Sequence, residues 1–298
     1  MKQRKNSRYK ISTTVLFLFP SLLVLCLFVF YPIIDAFRLS LFEWNNPARD
    51  PVFVGMENYK NLFMDDRFLN SLKVTLTYTV GVTFISIILG LIIANLLNNK
   101  NLPFRNFFRG LFFLPTVTPT VVAAMVWIII FNPTYGFVNI LLRNVMDMPP
   151  NWFSDPHWAL PTIMLLGIWR RVGFTIIIYL AALQNIPNDY YEISKMDGAN
   201  AFQSFLYVTI PQMIPTTLML ITLGFIDSFL VFDQVLITTR GGPSSTTEVV
   251  SLFLYTDAFT LFNMGKGAAI SVIIFVIILV ITLIQWRLVG FGSYEDIS

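Results

Sequence analysis

Charged side chains are scarce in this chain. Asp, Glu, Lys and Arg make up 12% of its 298 residues, where a soluble domain carries about 25% because its surface must stay wetted. The shortage excludes an ordinary soluble domain. Cysteine and histidine are nearly missing. One Cys (Cys26) and one His (His157) exclude an intrachain disulfide framework and a Cys/His metal site. Cys26 sits in an apolar run as a small hydrophobe, and His157 reads as a polar residue near a helix end. A net charge of +3, with no basic stripe interleaved with aromatics, gives no nucleic-acid partner. There is also no G-x-x-x-x-G-K-[ST] phosphate loop, because Met264-Gly-Lys-Gly267 lacks the first Gly and the hydroxyl residue. No cofactor is expected on this chain.

What is present is apolar. Hydrophobic residues reach 55% and aromatics 15%, with 29 Phe. Six stretches, about 13–34, 72–97, 111–131, 158–183, 215–236 and 265–287, are near-continuous Leu, Ile, Val and Phe. Each is long enough to cross ~30 Å of hydrocarbon at 1.5 Å per helical residue. A backbone in lipid must satisfy its own hydrogen bonds, so the expected fold is an all-α polytopic membrane bundle of about six helices. Pro20, Pro115, Pro119 and Pro161 are placed toward span ends, where kinks are tolerated. The first stretch follows Lys2, Arg4, Lys5, Arg8 and Lys10 but is spanning in length. The bulky Tyr31-Pro32-Ile33-Ile34-Asp35 after it offers no cleavage site, so it reads as an uncleaved span.

Lys and Arg also give the orientation. The N-terminal segment is purely basic, and Lys100, Arg105 and Arg109 follow span two without an acid. The opposite side mixes signs, with Arg38, Arg49, Lys60 and Arg67 among Glu43, Asp50, Glu57, Asp65 and Asp66. The positive-inside rule then puts both termini in the cytoplasm, and Trp44, Trp152 and Trp158 near the outer interface. The organisation expected is a basic N-terminus (1–12), a first helix with its outer loop (13–71), a five-helix core (72–287) and a tail (288–298). In span two, Ser86, Gly90 and Ala94 recur every four residues, a small-residue stripe that lets another helix approach.

The segment 186–214, between spans four and five, reads as two short helices at the cytoplasmic surface. Asp189 with Glu192 three residues on has capping-box spacing. Gly198 can end the first helix in a left-handed conformation. Asn200 with Gln203 repeats the cap. Phe202, Phe205, Leu206 and Thr209 would share a face, and Pro211 and Pro215 mark the return to the bilayer. A helix-turn-helix there has the form of a docking element for a soluble partner.

Glu192-Ile193-Ser194, Gly198 and Val208-Thr209-Ile210-Pro211 resemble the EAA loop of binding-protein-dependent ABC importers. In that family the pattern is Glu-Ala-Ala, three residues, Gly, nine residues, Ile-x-Leu-Pro. Ile193 and Ser194 depart from the Ala pair; the spacings and Asp197-Gly198-Ala199 are kept. Further matches are similar to the sugar-permease branch typified by maltose and glycerol-3-phosphate uptake. They include Gly55 through Asn58-Tyr59, Arg109-Gly110, Trp127 with Phe131, Tyr179 through Gln184 and Pro187, Phe232-Asp233 and Gly241-Gly242-Pro243. That last loop resembles the first permease subunit of the pair.

The resemblance implies a MetI-like, type I importer core in a bacterial or archaeal cytoplasmic membrane. It implies a second homologous permease, two cytoplasmic ATPase subunits that bind ATP and Mg, an external solute-binding protein and a sugar substrate. Glu192, Asp197, Gly198, Ala199 and Pro211 would be the matching ATPase contacts. Glu192 as a capping residue is the local alternative, and both roles can hold together.

Charges within spans are the second signal. Arg170 and Arg171, flanked by Trp169 and Gly173, fall near the middle of span four; Asp227 falls in span five, with Asp233 beyond it. A charge at the bilayer centre costs about 3 kcal/mol and therefore faces a partner or a water-filled path. Two readings stay open: a structural Arg–Asp pair, or a solute cavity in which Trp127 or Trp169 offers a flat face to a sugar ring. A polyol or glycerol phosphate is an alternative substrate, with Arg170 or Arg171 on the phosphate. A stand-alone secondary transporter would show internal repeats and several mid-membrane acids. A membrane enzyme would need a nucleophile, base or metal cluster.

Overall fold

The computed structural model describes residues 3–46, 48–99, 102–145 and 149–289. Lys2, Lys100 and the tail 290–298 lie outside the described residues, as do the side chains of Arg4, Lys5, Arg8 and Lys10. The chain is helical almost throughout: α1 Gln3–Leu25, α2 Tyr31–Leu39, α3 Glu57–Phe63, α4 Asp66–Asn98, α5 Arg105–Val117, α6 Thr120–Ile130, α7 Phe137–Leu142, α8 Ala159–Gln184, α9 Asn188–Met196, α10 Ala201–Ser204, α11 Ile210–Phe229, α12 Asp233–Thr238, α13 Val250–Tyr255 and α14 Met264–Val289. Among the described residues five helical segments are long and apolar enough to cross a membrane, or six when α5 and α6 count as one broken span.

That broken span corrects the sequence reading of an unbroken helix over 111–131. α5 and α6 are bent by 102°, at Thr118-Pro119 and not near an end. A residue before proline is driven out of the helical region by the pyrrolidine ring, and Thr118 is extended at φ −75°, ψ 128°.

Prolines elsewhere do less than expected. Pro211 does not end a helix: 201–238 runs as one apolar segment. A π turn at Phe205–Thr209 precedes it, and Ile210 N–H bonds to Phe205 O. The same device precedes Pro32, where a π turn spans Cys26–Phe30 and Tyr31 N–H bonds to Cys26 O. Proline removes one donor and crowds the preceding turn; widening that turn to i→i+5 bonding absorbs both defects.

The chain divides into two compact units. The first comprises 1–64 and 254–276. It contains a short antiparallel pair absent from the sequence reading, β1 Phe42–Glu43 with β2 Val52–Phe53, in register Phe42 to Phe53. Gly55 follows at φ +60°, and its N–H and that of Val54 both donate to Leu41 O. Asn58 Nδ2 donates to Ser40 O and Phe42 O, each at 2.9 Å, and Tyr59 Oη to Ser40 Oγ at 2.7 Å. The Gly55…Asn58-Tyr59 pattern thus ties the hairpin to the end of α2. Lys266 Nζ lies 3.1 Å from Asp257 Oδ1, whose side chain is buried.

The second unit comprises 65–253 and 277–298. Its centre is the seam of α4 on α8, with α11 against α4 and α5 against α8. The stripe of Ser86, Gly90 and Ala94 extends back through Thr83, Thr79 and Thr75 to Ser71, all buried. Small side chains let the backbones approach where no hydrophobic force between helices exists in lipid. A Cβ on Gly90 would lie 2.9 Å from Thr175 Cβ, and one on Gly173 would collide with Phe112 O. Around the seam lie Tyr78, Val82, Ile163, Ile176, Tyr179 and Leu220. The Gly241-Gly242-Pro243 loop is held to α4 by Arg67, which donates Nε to Glu248 Oε2 at 2.8 Å and Nη2 to Glu248 Oε1 at 2.5 Å. Asn70 Nδ2 adds a bond to Ser245 O at 3.0 Å.

Candidate functional site

Two sites emerge, both in the second unit. The first is the 186–211 hairpin. α9 begins one residue before the expected cap: Pro187 holds the N-cap position and makes no side-chain cap. Asp189 therefore lies in the first turn, where a carboxylate complements the helix dipole, and the expected Asp189–Glu192 box is not formed. The end of α9 follows the sequence reading. Gly198 at φ +80° donates its N–H to Lys195 O at 3.0 Å, and Ala199 to Ser194 O at 2.9 Å. These are the two bonds of a Schellman stop. No atom lies within 4 Å of a Cβ built on Gly198, so backbone conformation alone requires glycine. Asn200 forms the second box: Gln203 N–H donates to Asn200 Oδ1 at 2.9 Å, and Asn200 N–H to Gln203 Oε1 at 2.8 Å.

The arms are joined by Ser194 Oγ to Ser204 Oγ at 2.8 Å and Tyr191 Oη to Thr209 Oγ1 at 3.1 Å. What faces outward is mixed. Glu192, Asp197, Gly198 and Pro211 are exposed and Ala199 is half-buried, and beside them stand Ile193, Met196, Phe202 and Tyr207, the last three more than two thirds exposed. Large apolar side chains left open on a rigid, doubly capped turn form a surface suited to another protein.

The second site is a cavity of about 380 Å³ whose polar lining is Tyr78, Arg170, Arg171, Asp227, Asp233 and Gln234, among others. Arg171 on α8 donates Nη1 to Asp227 Oδ2 on α11 at 3.0 Å and Nη2 to Leu220 O at 3.4 Å. Its side chain is 9% exposed, that of Asp227 66%. The Arg–Asp pair therefore exists, and both of its members line the cavity. Arg170 has no ion pair among the described residues, and its Nε and that of Arg171 are buried without a hydrogen-bond partner. Asp233 is exposed in the first turn of α12.

Trp127 and Trp169 are placed together but not in this lining. Their ring centroids are 5.8 Å apart, and Trp127 stacks on Phe131 at 5.0 Å. Phe131 meets Trp152 edge-on at 5.2 Å, and Trp152 meets Trp158.

Sequence reasoning missed Tyr78 and Gln234, which are hydrogen-bonded through Gln234 Nε2 to Tyr78 Oη across 156 positions of sequence. A polar residue in each apolar stretch was the available signal, but no spacing rule joins them. It also left Arg67 as one outer-loop charge among several, although its partner Glu248 is buried.

Residues 86–289 match the family of binding-protein-dependent transport system inner membrane components. The chain belongs to that family. The permease is 34% identical to the arabinooligosaccharides transport system permease protein AraP of Bacillus subtilis, over 92% of this chain and 88% of that one. It is 32% identical to the trehalose/maltose transport system permease protein MalF of Thermococcus litoralis, over 91% and 92%. In fold it matches, with a TM-score of 0.83 at 22% identity over 96% and 97% of the two chains, a crystallised bacterial ABC transporter that imports the acidic polysaccharide alginate. The expected architecture, an all-α membrane permease of the ABC importer type, is therefore the observed one.

Proposed function

We propose that this permease imports a carbohydrate, forming half of a translocation pathway that separate ATPases drive. The observation that carries the carbohydrate reading is the kinship with AraP and MalF along nearly the whole of each chain. The cavity chemistry agrees: two guanidinium and two carboxylate groups with an amide and a phenol supply the donors and acceptors that hydroxyls need.

In this reading the 186–211 hairpin docks on a cytoplasmic ATPase that binds ATP and Mg. Glu192, Asp197, Gly198 and Ala199 provide the turn, and Pro211 stands where it joins the bilayer-crossing helix. The other partners are a second, homologous permease subunit and an external solute-binding protein, with both termini in the cytoplasm. Coupling through this turn is tested with Gly198→Trp in the assembled complex. Uptake is expected to be lost while ATP hydrolysis and membrane assembly persist, and normal uptake by this variant refutes the docking assignment. Sugar uptake by the permease alone in vesicles, without nucleotide, refutes the ATP-driven reading in favour of a self-contained transporter.

A further inference from the structure

We infer that Gln234 is a specificity-determining residue of the cavity, accepting a hydrogen bond from one hydroxyl of the transported sugar, and that Tyr78 positions it. The inference rests on the carbohydrate reading above.

Three observations carry it. Gln234 is 3% exposed yet belongs to the cavity wall. Its Nε2 is engaged by Tyr78 Oη, while its Oε1 is buried and has no partner. Buried polar atoms are almost always hydrogen-bonded, and one left without a partner is destabilising. A buried acceptor without a partner, on a residue that lines the cavity, is therefore a place for a donor that arrives with the ligand.

The surroundings specify that donor. Tyr78 is 2% exposed and stands on α4 beside the small-residue stripe. Its hydroxyl lies where a Cβ on Gly167 of α8 would stand, so α8 carries a glycine there and leaves it room. The phenol, seated between α4 and α8, thus holds the Nε2 end of the amide. Arg171 is already committed to Asp227, and the lining as a whole holds two positive and two negative side chains. A charged ligand group gains little from such a balanced wall, whereas a neutral hydroxyl meets a fixed acceptor. Sites built to bond a substrate hydroxyl reject analogues lacking it, because their own polar group is then left unpaired.

The test uses the whole transporter with its binding protein in proteoliposomes, assayed for ATP-dependent uptake of maltose, trehalose and arabinotriose. The sugar taken up is then compared with its monodeoxy analogues in wild type, Gln234→Met and Gln234→Glu. Because the binding protein is common to every arm, its own selectivity cancels in the cycle.

Gln234→Met is expected to lower kcat/KM for the parent sugar about tenfold, the loss of one hydrogen bond of about 1.4 kcal/mol. It should leave one particular deoxy analogue no worse than in wild type. Gln234→Glu, which keeps an acceptor of the same shape, should restore discrimination against that analogue. Tyr78→Phe should weaken discrimination against that analogue and leave discrimination against the other analogues as in wild type. An equal loss for the parent and every analogue, or no change for any, overturns the inference: the residue is then structural, or its oxygen holds only water. Uptake of none of the three sugars by the wild-type complex overturns the carbohydrate reading itself, and this inference with it.

Discussion

Truncating Arg67 to Ala should destabilise the permease by about 2 kcal/mol, between the limits for buried and exposed ion pairs. Arg67 stands at the start of α4 and holds Glu248 through two parallel bonds of 2.8 and 2.5 Å. Its guanidinium also lies 5.4 Å from the Phe253 ring centroid. Glu248 is 4% exposed at the side chain and Arg67 47%. Removing one member of a fully buried pair costs about 3–5 kcal/mol, because the other charge stays behind without water. Exposed pairs contribute about 0–1 kcal/mol. With one partner buried and the other half in solvent, the expected value falls between.

The assay is thermal unfolding of the assembled complex in detergent, followed by tryptophan fluorescence, where 2 kcal/mol corresponds to a drop in Tm of about 4 °C. Arg67→Lys should recover only part of that, since an ammonium cannot form the two-pronged contact. Combining Arg67→Ala with Glu248→Gln should recover most of it, since no buried charge then remains. The reasoning fails if Arg67→Ala melts within about 1 °C of wild type, or if the double variant loses the sum of the two single losses.

Two further outcomes are expected. Gly90→Leu should prevent stable assembly and Gly90→Ala cost about 1–3 kcal/mol through overpacking, because Thr175 already occupies the space beside it; wild-type yield and melting of Gly90→Leu contradict the seam. Arg171→Ala should lower Tm by loosening α8 from α11, whereas Arg170→Ala, unpaired with any carboxylate among the described residues, should reduce uptake at unchanged Tm. Equal effects of the two on both readouts would count against separating their roles.

The hairpin shows how far local sequence reaches. Gly198 and the Asn200–Gln203 pair were legible because a left-handed stop and a capping box are completed within a few residues. Asp189 was misplaced as the cap by two residues, because Pro187 holds that position. Pro119 and Pro211 were both read as punctuation near span ends. One breaks a span and the other is absorbed by a π turn, and the difference depends on whether the preceding turn can widen. Arg170 and Arg171, adjacent in sequence, could not be told apart without knowing which one α11 faces.

The composition and the long apolar runs by themselves settled the class: too little charge to wet a surface, too much continuous hydrophobicity for anything but helices in a bilayer. The motif spacing around Gly198, with the matches along the rest of the chain, carried the resemblance to the family that the match over residues 86–289 shows. Tertiary structure alone decided which polar groups meet, because Tyr78 with Gln234 and Arg67 with Glu248 are partners from distant segments. Such pairs obey no period in the chain; they exist only once α4, the Gly241–Pro243 loop and α12 have packed.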